Sequence, residues 1–313
     1  MKFVLNDGIR SFIMLKTRSV ITGSGHYLPA QHIKNSHFEK NMFHNEDGTL
    51  FQASNTEIIQ KFHNITGIKE RRYLEDNLLS SDMAAIAAEK AILDSGIDRE
   101  SIDQIILAHN FGDIQSGKST PEMMPSLGAK VKNKLKITNP NCVCYDIIFG
   151  CPGWVQAMIQ ADVYIKSGYA KTCLVIGTES LSRMVDPADR DAMIFADGAG
   201  AAIVTAVESE EEVGIINHSS VTHAAQDLNY LNMGASYKKD EDEKLYIKMN
   251  GRKIYNYALI EVPKAIKSCL DKDELVIDDI DKILIHQANE KMDVAIGNRL
   301  YSLYGYEEMP KNK

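Results

Sequence analysis

Apolar residues recur along this chain in two rhythms, and the two alternate. Strand-length apolar runs stand at 19–22, 104–108, 143–148, 172–177 and 201–204. Between and after them, stretches with helical spacing predict helices over 82–95, 155–166 and 253–270. Gly96 and Gly168 supply stop signals for the first two helices. Strands that alternate with helices predict an α/β fold, mostly parallel in pairing and joined by right-handed crossovers.

One stretch of this pattern recurs. Ile102-Asp-Gln-Ile-Ile-Leu-Ala-His109 and Ile280-Asp-Lys-Ile-Leu-Ile-His-Gln287 match at an offset of 178 (280 − 102), each preceded by a helical segment. The agreement predicts a duplicated α/β unit with a second strand over 280–287. In this register His286 aligns with Ala108 rather than His109, and that asymmetry points to chemistry at His286. The expected organisation is an extension over 1–13 outside the core, a first half over 14–207 and a second over 208–313. The acidic run Glu208-Ser-Glu-Glu-Glu212 is expected to link the halves at the surface, and 238–244 to form a solvated loop.

Composition narrows the function. The 313 residues are 44% hydrophobic, enough for one large core or two medium ones. A net charge of −8 with only short basic clusters argues against nucleic acid as a partner. No apolar run reaches membrane-helix length and no signal-peptide pattern is present. The five cysteines lack the spacing of a disulfide framework, so reduced thiols and a cytoplasmic location are expected. Cys142 and Cys144 read as core residues, and no ligand spacing predicts a metal.

Cys151 is the chemical focus. It falls between the apolar run at 143–148 and the helix at 155–166, inside Gly150-Cys-Pro-Gly153. Unpaired N–H groups and the positive end of a helix dipole favour a thiolate there and offer donors to an oxyanion. The alternative, a strand-end cysteine packed as a small hydrophobe, sits less well with this turn chemistry. Gly198-Ala-Gly-Ala-Ala202 looks like part of a dinucleotide loop. It leads into a strand instead of a helix, which argues against a nicotinamide cofactor.

Together these residues resemble ketoacyl synthase III of the thiolase-like superfamily, from about Arg18 onward. The markers, in order, are Gly23-Ser-Gly-His-Tyr-Leu-Pro29, Thr66-Gly-Ile-Lys-Glu-Arg71, Asp146-Ile-Ile-Phe-Gly-Cys-Pro-Gly153, Asp186-Pro-Ala-Asp-Arg190, Phe195-Ala-Asp-Gly-Ala-Gly-Ala201 and His286-Gln-Ala-Asn289. The resemblance implies an α-β-α-β-α layered fold of two similar halves in a homodimer. It also implies initiation of fatty acid synthesis: an acyl-CoA primer condenses with malonyl-acyl-carrier protein, without a cofactor or metal. By resemblance Cys151 accepts the acyl group and His286 stabilises the malonyl enolate. Arg190, Arg252, Gln287, Asn289 and Lys291 would contact CoA or the carrier protein, and Met124 and Phe149 the acyl pocket.

Some family features have no counterpart. The third catalytic residue, an asparagine in Gly-Asn-Ser or Gly-Asn-Thr downstream of the histidine, is absent. Gly297-Asn298 lies too close to His286 and lacks the following hydroxyl residue. The second half is therefore expected to be truncated, as an incomplete product rather than a damaged enzyme. A stacking tryptophan upstream of Thr66 is also missing, since Trp154 is the only tryptophan. Two alternative readings remain: a related Cys-His enzyme of specialised lipid or polyketide synthesis, and a non-catalytic partner subunit.

Overall fold

The computed structural model describes residues 15–118, 120–239 and 243–310, so the 1–13 extension and the centre of the 238–244 loop lie outside the described residues. In chain order the elements are β1 (Lys16–Tyr27), β2 (Gln31–Lys34), α1 (Asn55–Thr66), β3 (Glu70–Tyr73), α2 (Ser80–Ser95), β4 (Gln104–His109), α3 (Leu127–Lys134), β5 (Val143–Ile148) and α4 (Gly153–Lys166). They continue with β6 (Thr172–Ser180), β7 (Asp197–Ser209), β8 (Leu231–Ala235), β9 (Leu245–Met249), α5 (Gly251–Asp271) and α6 (Glu290–Ser302). All five strand runs and all three helices expected from the pattern are present.

The central sheet has five strands in the order β1-β7-β6-β4-β5. β4 pairs in parallel with β5 and β6, as expected. β7 runs against its neighbours β1 and β6, so half of the four ladders are antiparallel. The reason lies in the connection: only short 3-10 turns separate β6 from β7, and no helix carries the chain back for a parallel return.

Burial explains why β4 forms the centre. All six of its residues are buried. Ile105 and Leu107 face α2 and α3, together with Ala87, Ala91, Leu127 and Val131. Ile106 faces the opposite layer, with Ala157, Ala161 and Ile165 of α4. α2 is rich in alanine on its buried side, which lets it lie directly on β1. A Cβ on Gly25 would run into the Ala87 carbonyl, and one on Gly23 into that of Ala91. This close approach is what the glycines of the Gly23-Ser-Gly25 motif permit.

The duplicated unit is only partly realised. A 3-10 turn precedes the repeated segment in each copy, Arg99–Ser101 and Ile277–Asp279, at the same offset. The first copy continues into β4. In the second, 280–287 forms no strand, which corrects the expectation: among the described residues no neighbouring strand supplies a ladder. Ile283 anchors this stretch against Ile277, Leu300 and Tyr301.

A buried ion cluster ties β9 to the connection between β6 and β7. Lys248 on β9 lies 2.5 Å from Asp186 and 3.4 Å from Asp189, with its ammonium 3.3 Å from the Tyr237 ring centre. Asp186 thus has a structural role in the Asp186–Arg190 marker. Among the described residues no helix is long and apolar enough to cross a membrane.

Candidate active site

β5 ends at Ile148 and α4 begins at Gly153, so Cys151 occupies a tight turn between a sheet strand and a helix. Gly150 takes φ +74°, a conformation that favours glycine, and its carbonyl accepts from Gly153 N–H at 2.9 Å. A Cβ on Gly153 would press on Ala108 at 2.9 Å, so that glycine lets α4 start close against β4. Pro152 caps α4 at φ −80° and ψ 9°. Cys151 therefore stands just ahead of the helix rather than in its first turn, and its side chain is exposed.

His286 meets Cys151 from the other part of the chain. A hydrogen bond with His286 is the main influence lowering the Cys151 thiol. Crowding by protein opposes it, while the imidazolium charge and the cysteine's own N–H assist. The same bond raises the His286 imidazole above its ordinary value, with the nearby Asp293 carboxylate contributing in the same direction. The two shifts favour a thiolate–imidazolium pair. The other cysteines behave as packed thiols: burial pushes Cys142 up to about 11 and Cys173 to about 12. Cys142 belongs to the core and Cys144 packs against it, in line with the core reading.

A second histidine supports the turn from below. His109, wholly buried at the end of β4, accepts from Gly112 N–H at Nδ1, so Nε2 carries the proton toward Asp146 Oδ2 at 2.9 Å. Asp146 also accepts from the Leu127 and Gly128 N–H groups at the start of α3, each at 2.7 Å. This network locks β4, β5 and α3 together five residues before Cys151 (151 − 146).

The remaining expected site residues divide. Asn289 caps α6, accepting from Met292 N–H at 3.0 Å, and so orients the segment that carries His286. Gln287 and Asn289 line a mostly apolar cavity of about 650 Å³, together with Ile283, Ile285 and Leu300, which does not include Cys151. Lys291 donates to the Asn64 carbonyl at the end of α1. Arg252 is exposed in the first turn of α5. Arg190 stands 4.8 Å from the Phe51 ring centre and 3.9 Å from Asp191. Met124 and Phe149 are 85% and 43% exposed, and Phe149 directly follows β5, the edge strand of the central sheet among the described residues. Asn298 accepts from Met309 N–H at 2.9 Å, a structural role.

Three neighbours escaped the sequence reading. Phe51 gives Arg190 an aromatic face in a chain without the expected tryptophan. Asn110 and Glu179 adjoin the Cys151 turn, and their signal was polarity at the ends of the apolar runs 104–108 and 172–177.

Comparison with known proteins agrees with this geometry. Residues 145–224 match the model of the family described as 3-Oxoacyl-[acyl-carrier-protein (ACP)] synthase III. The chain is 37% identical over 288 residues to the beta-ketoacyl-[acyl-carrier-protein] synthase III of Ehrlichia canis, covering 90% of this chain and 81% of the relative. The synthase III structure from Aquifex aeolicus superposes with a TM-score of 0.71 at 30% identity, over 95% of this chain and 82% of that one. The Pseudomonas aeruginosa structure, at 24% identity, shares the fold with a TM-score of 0.74, over 91% and 80% of the two chains. With its cysteine turn, its histidine and these likenesses, the chain belongs to the 3-oxoacyl-[acyl-carrier-protein] synthase III family of condensing acyltransferases.

Proposed function

We propose that Cys151 and His286 carry out the family's decarboxylating condensation in this chain. The thiolate of Cys151 attacks the thioester carbonyl of an acyl-CoA primer, the carbon–sulfur bond to CoA breaks, and the CoA thiolate leaves with a proton from the imidazolium. Malonyl-acyl-carrier protein then loses carbon dioxide. The resulting enolate, its oxygen held by the His286 N–H, attacks the acyl-Cys151 carbonyl and releases the cysteine thiolate. The product is a 3-oxoacyl thioester on the carrier protein. One donor of this kind accounts for about 2.7–4 kcal/mol of transition-state stabilisation. The observation that carries the reading is the placement of Cys151, exposed in the tight turn between β5 and α4, where His286 from a distant part of the chain acts on its thiol.

Arg190 on Phe51 offers a cation and an aromatic surface for the CoA adenine, Arg252 a positive charge beside the CoA arm, and Lys291 one to an acidic carrier protein. The five cysteines are all free, as suits a reducing cytoplasm. The working form in this reading is a homodimer through β5. Among the described residues that strand is an open sheet edge carrying exposed Val143 and Ile148, with exposed Phe149 next in the chain. A second copy paired there would cover this edge, and by the family resemblance Met124 would reach its partner's acyl pocket.

The test is intact mass after incubation with short straight and branched acyl-CoAs, followed by malonyl-acyl-carrier protein. The reading requires one acyl adduct, absent in Cys151→Ala, that is discharged as 3-oxoacyl product. No adduct on the folded protein refutes it. Sedimentation of the wild type against Ile148→Lys tests the dimer: a dimer that the substitution splits supports it, and a monomeric wild type excludes it.

A further inference from the structure

The end of β6 divides its side chains between two faces. Thr178 Oγ1 donates to the Ser80 carbonyl at 3.0 Å and Ser180 Oγ lies 2.9 Å from Ser80 Oγ, so both face α2. Gly177 and Glu179 alternate with them onto the face of α4, where a Cβ on Gly177 would meet Trp154. Glu179 therefore points toward the turn that holds Cys151. Its Oε2 accepts from Asn110 N–H at 2.6 Å, and Asn110 Oδ1 accepts from Gly150 N–H at 3.1 Å. A continuous chain of hydrogen bonds thus runs from a carboxyl group to the residue before Cys151. The other carboxyl oxygen, Oε1, is buried with no hydrogen-bond partner.

A buried carboxylate with one unpaired oxygen is costly, and the cost is relieved when the group holds a proton. Burial pushes Glu179 up to about 7, against the opposing pull of Asn110, His109 and the Ser180 backbone. Its negative charge in turn raises the Cys151 thiol. The titratable groups facing it are Cys151 from the nucleophile turn and His109 from the end of β4, and His286 bears on it through Cys151.

We infer that Glu179 is a positioning residue for the nucleophile: through Asn110 it fixes the Gly150–Cys151 turn, and its proton occupancy sets how readily Cys151 ionises. In its acid form it leaves the thiolate unopposed. Once ionised it places a like charge on the side of the turn that holds the sulfur and raises the thiol. This control rests on Cys151 being the nucleophile of the proposed reaction.

The test is the rate of Cys151 alkylation by iodoacetamide across acid to alkaline pH, read by intact mass, with Cys151→Ala as the background. Glu179→Gln keeps an acceptor for Asn110 and removes the charge. It should turn a broad, two-step profile into a single step displaced to lower pH, with several-fold faster alkylation at neutral to mildly alkaline pH. Glu179→Ala should share the displacement but, lacking the Asn110 bond, acylate more slowly than Glu179→Gln. A Glu179→Gln profile that superimposes on the wild type overturns the inference. Alkylation needs no acyl-CoA, so a displaced profile without any acyl adduct would reject the condensation reading and leave the Glu179 control standing.

Discussion

Replacing Asp146 by alanine should destabilise the protein more than any change at the surface. The carboxylate accepts three hydrogen bonds, from His109 Nε2–H and from the Leu127 and Gly128 N–H groups. Alanine leaves all three donors without a partner, one of them on a wholly buried imidazole. An unsatisfied buried donor costs about 1–3 kcal/mol, and water entering beside the α3 start recovers part of that, so the expected loss is roughly 3–6 kcal/mol. Urea unfolding followed by circular dichroism measures it. The pH dependence supplies a second check. Burial alone would raise the Asp146 carboxyl, but the bonds from His109, Gly128 and Leu127 outweigh it and the group is held below its ordinary value. A depressed carboxylate stabilises the fold above its unfolded pKa, and that contribution is lost as pH falls through the folded one. The gap between wild type and variant should therefore be full near neutrality and close in acid. A loss under about 1 kcal/mol, within the range of an ordinary surface substitution, or a gap that widens in acid, would refute the reasoning.

Three further outcomes are expected. His286→Ala should slow Cys151 alkylation at neutral pH and move its profile to higher pH, because the bond that lowers the thiol is gone; an unchanged profile would separate the two residues. Gly25→Ala should cost about 1–3 kcal/mol in urea unfolding, since the new Cβ meets the Ala87 carbonyl and α2 must back away from β1; an unaltered midpoint would mean that the contact is slack. Phe51→Ala should raise KM for acyl-CoA about two- to fivefold with kcat little changed, the equivalent of an exposed cation–π contact of about 0.5–1 kcal/mol. An unchanged KM would exclude Phe51 and Arg190 from CoA binding.

The sheet was legible because its strands are dense in β-branched residues and bounded by turn signals, and β4 reads as a continuous apolar run because both its faces are covered. The direction of β7 was not legible, since nothing local in 197–209 records which way its neighbours run. The stretch 280–287 carries the same apolar signature as β4, yet a strand exists only where a neighbour offers its backbone, and composition cannot report that. At the site, Cys151 announced itself through the glycine and proline around it, and His286 through its break from the repeat. Glu179 and Phe51 stayed hidden because their roles arise from contacts across 69 and 139 positions (179 − 110 and 190 − 51), which no spacing rule connects.

The backbone around His286 makes no sheet ladder among the described residues, with Ile283 and the Asn289 cap among its anchors, whereas Cys151 is braced by a strand, a helix and the Asp146 network. The two members of the pair therefore belong to regions of unequal local stability. Competence and folding become separate equilibria: mild denaturant or warming should release the histidine and return the thiol to ordinary acidity while the five-stranded sheet is still intact. Reactivity of Cys151 is in this sense a gauge of the second half of the chain, readable before any global signal of unfolding.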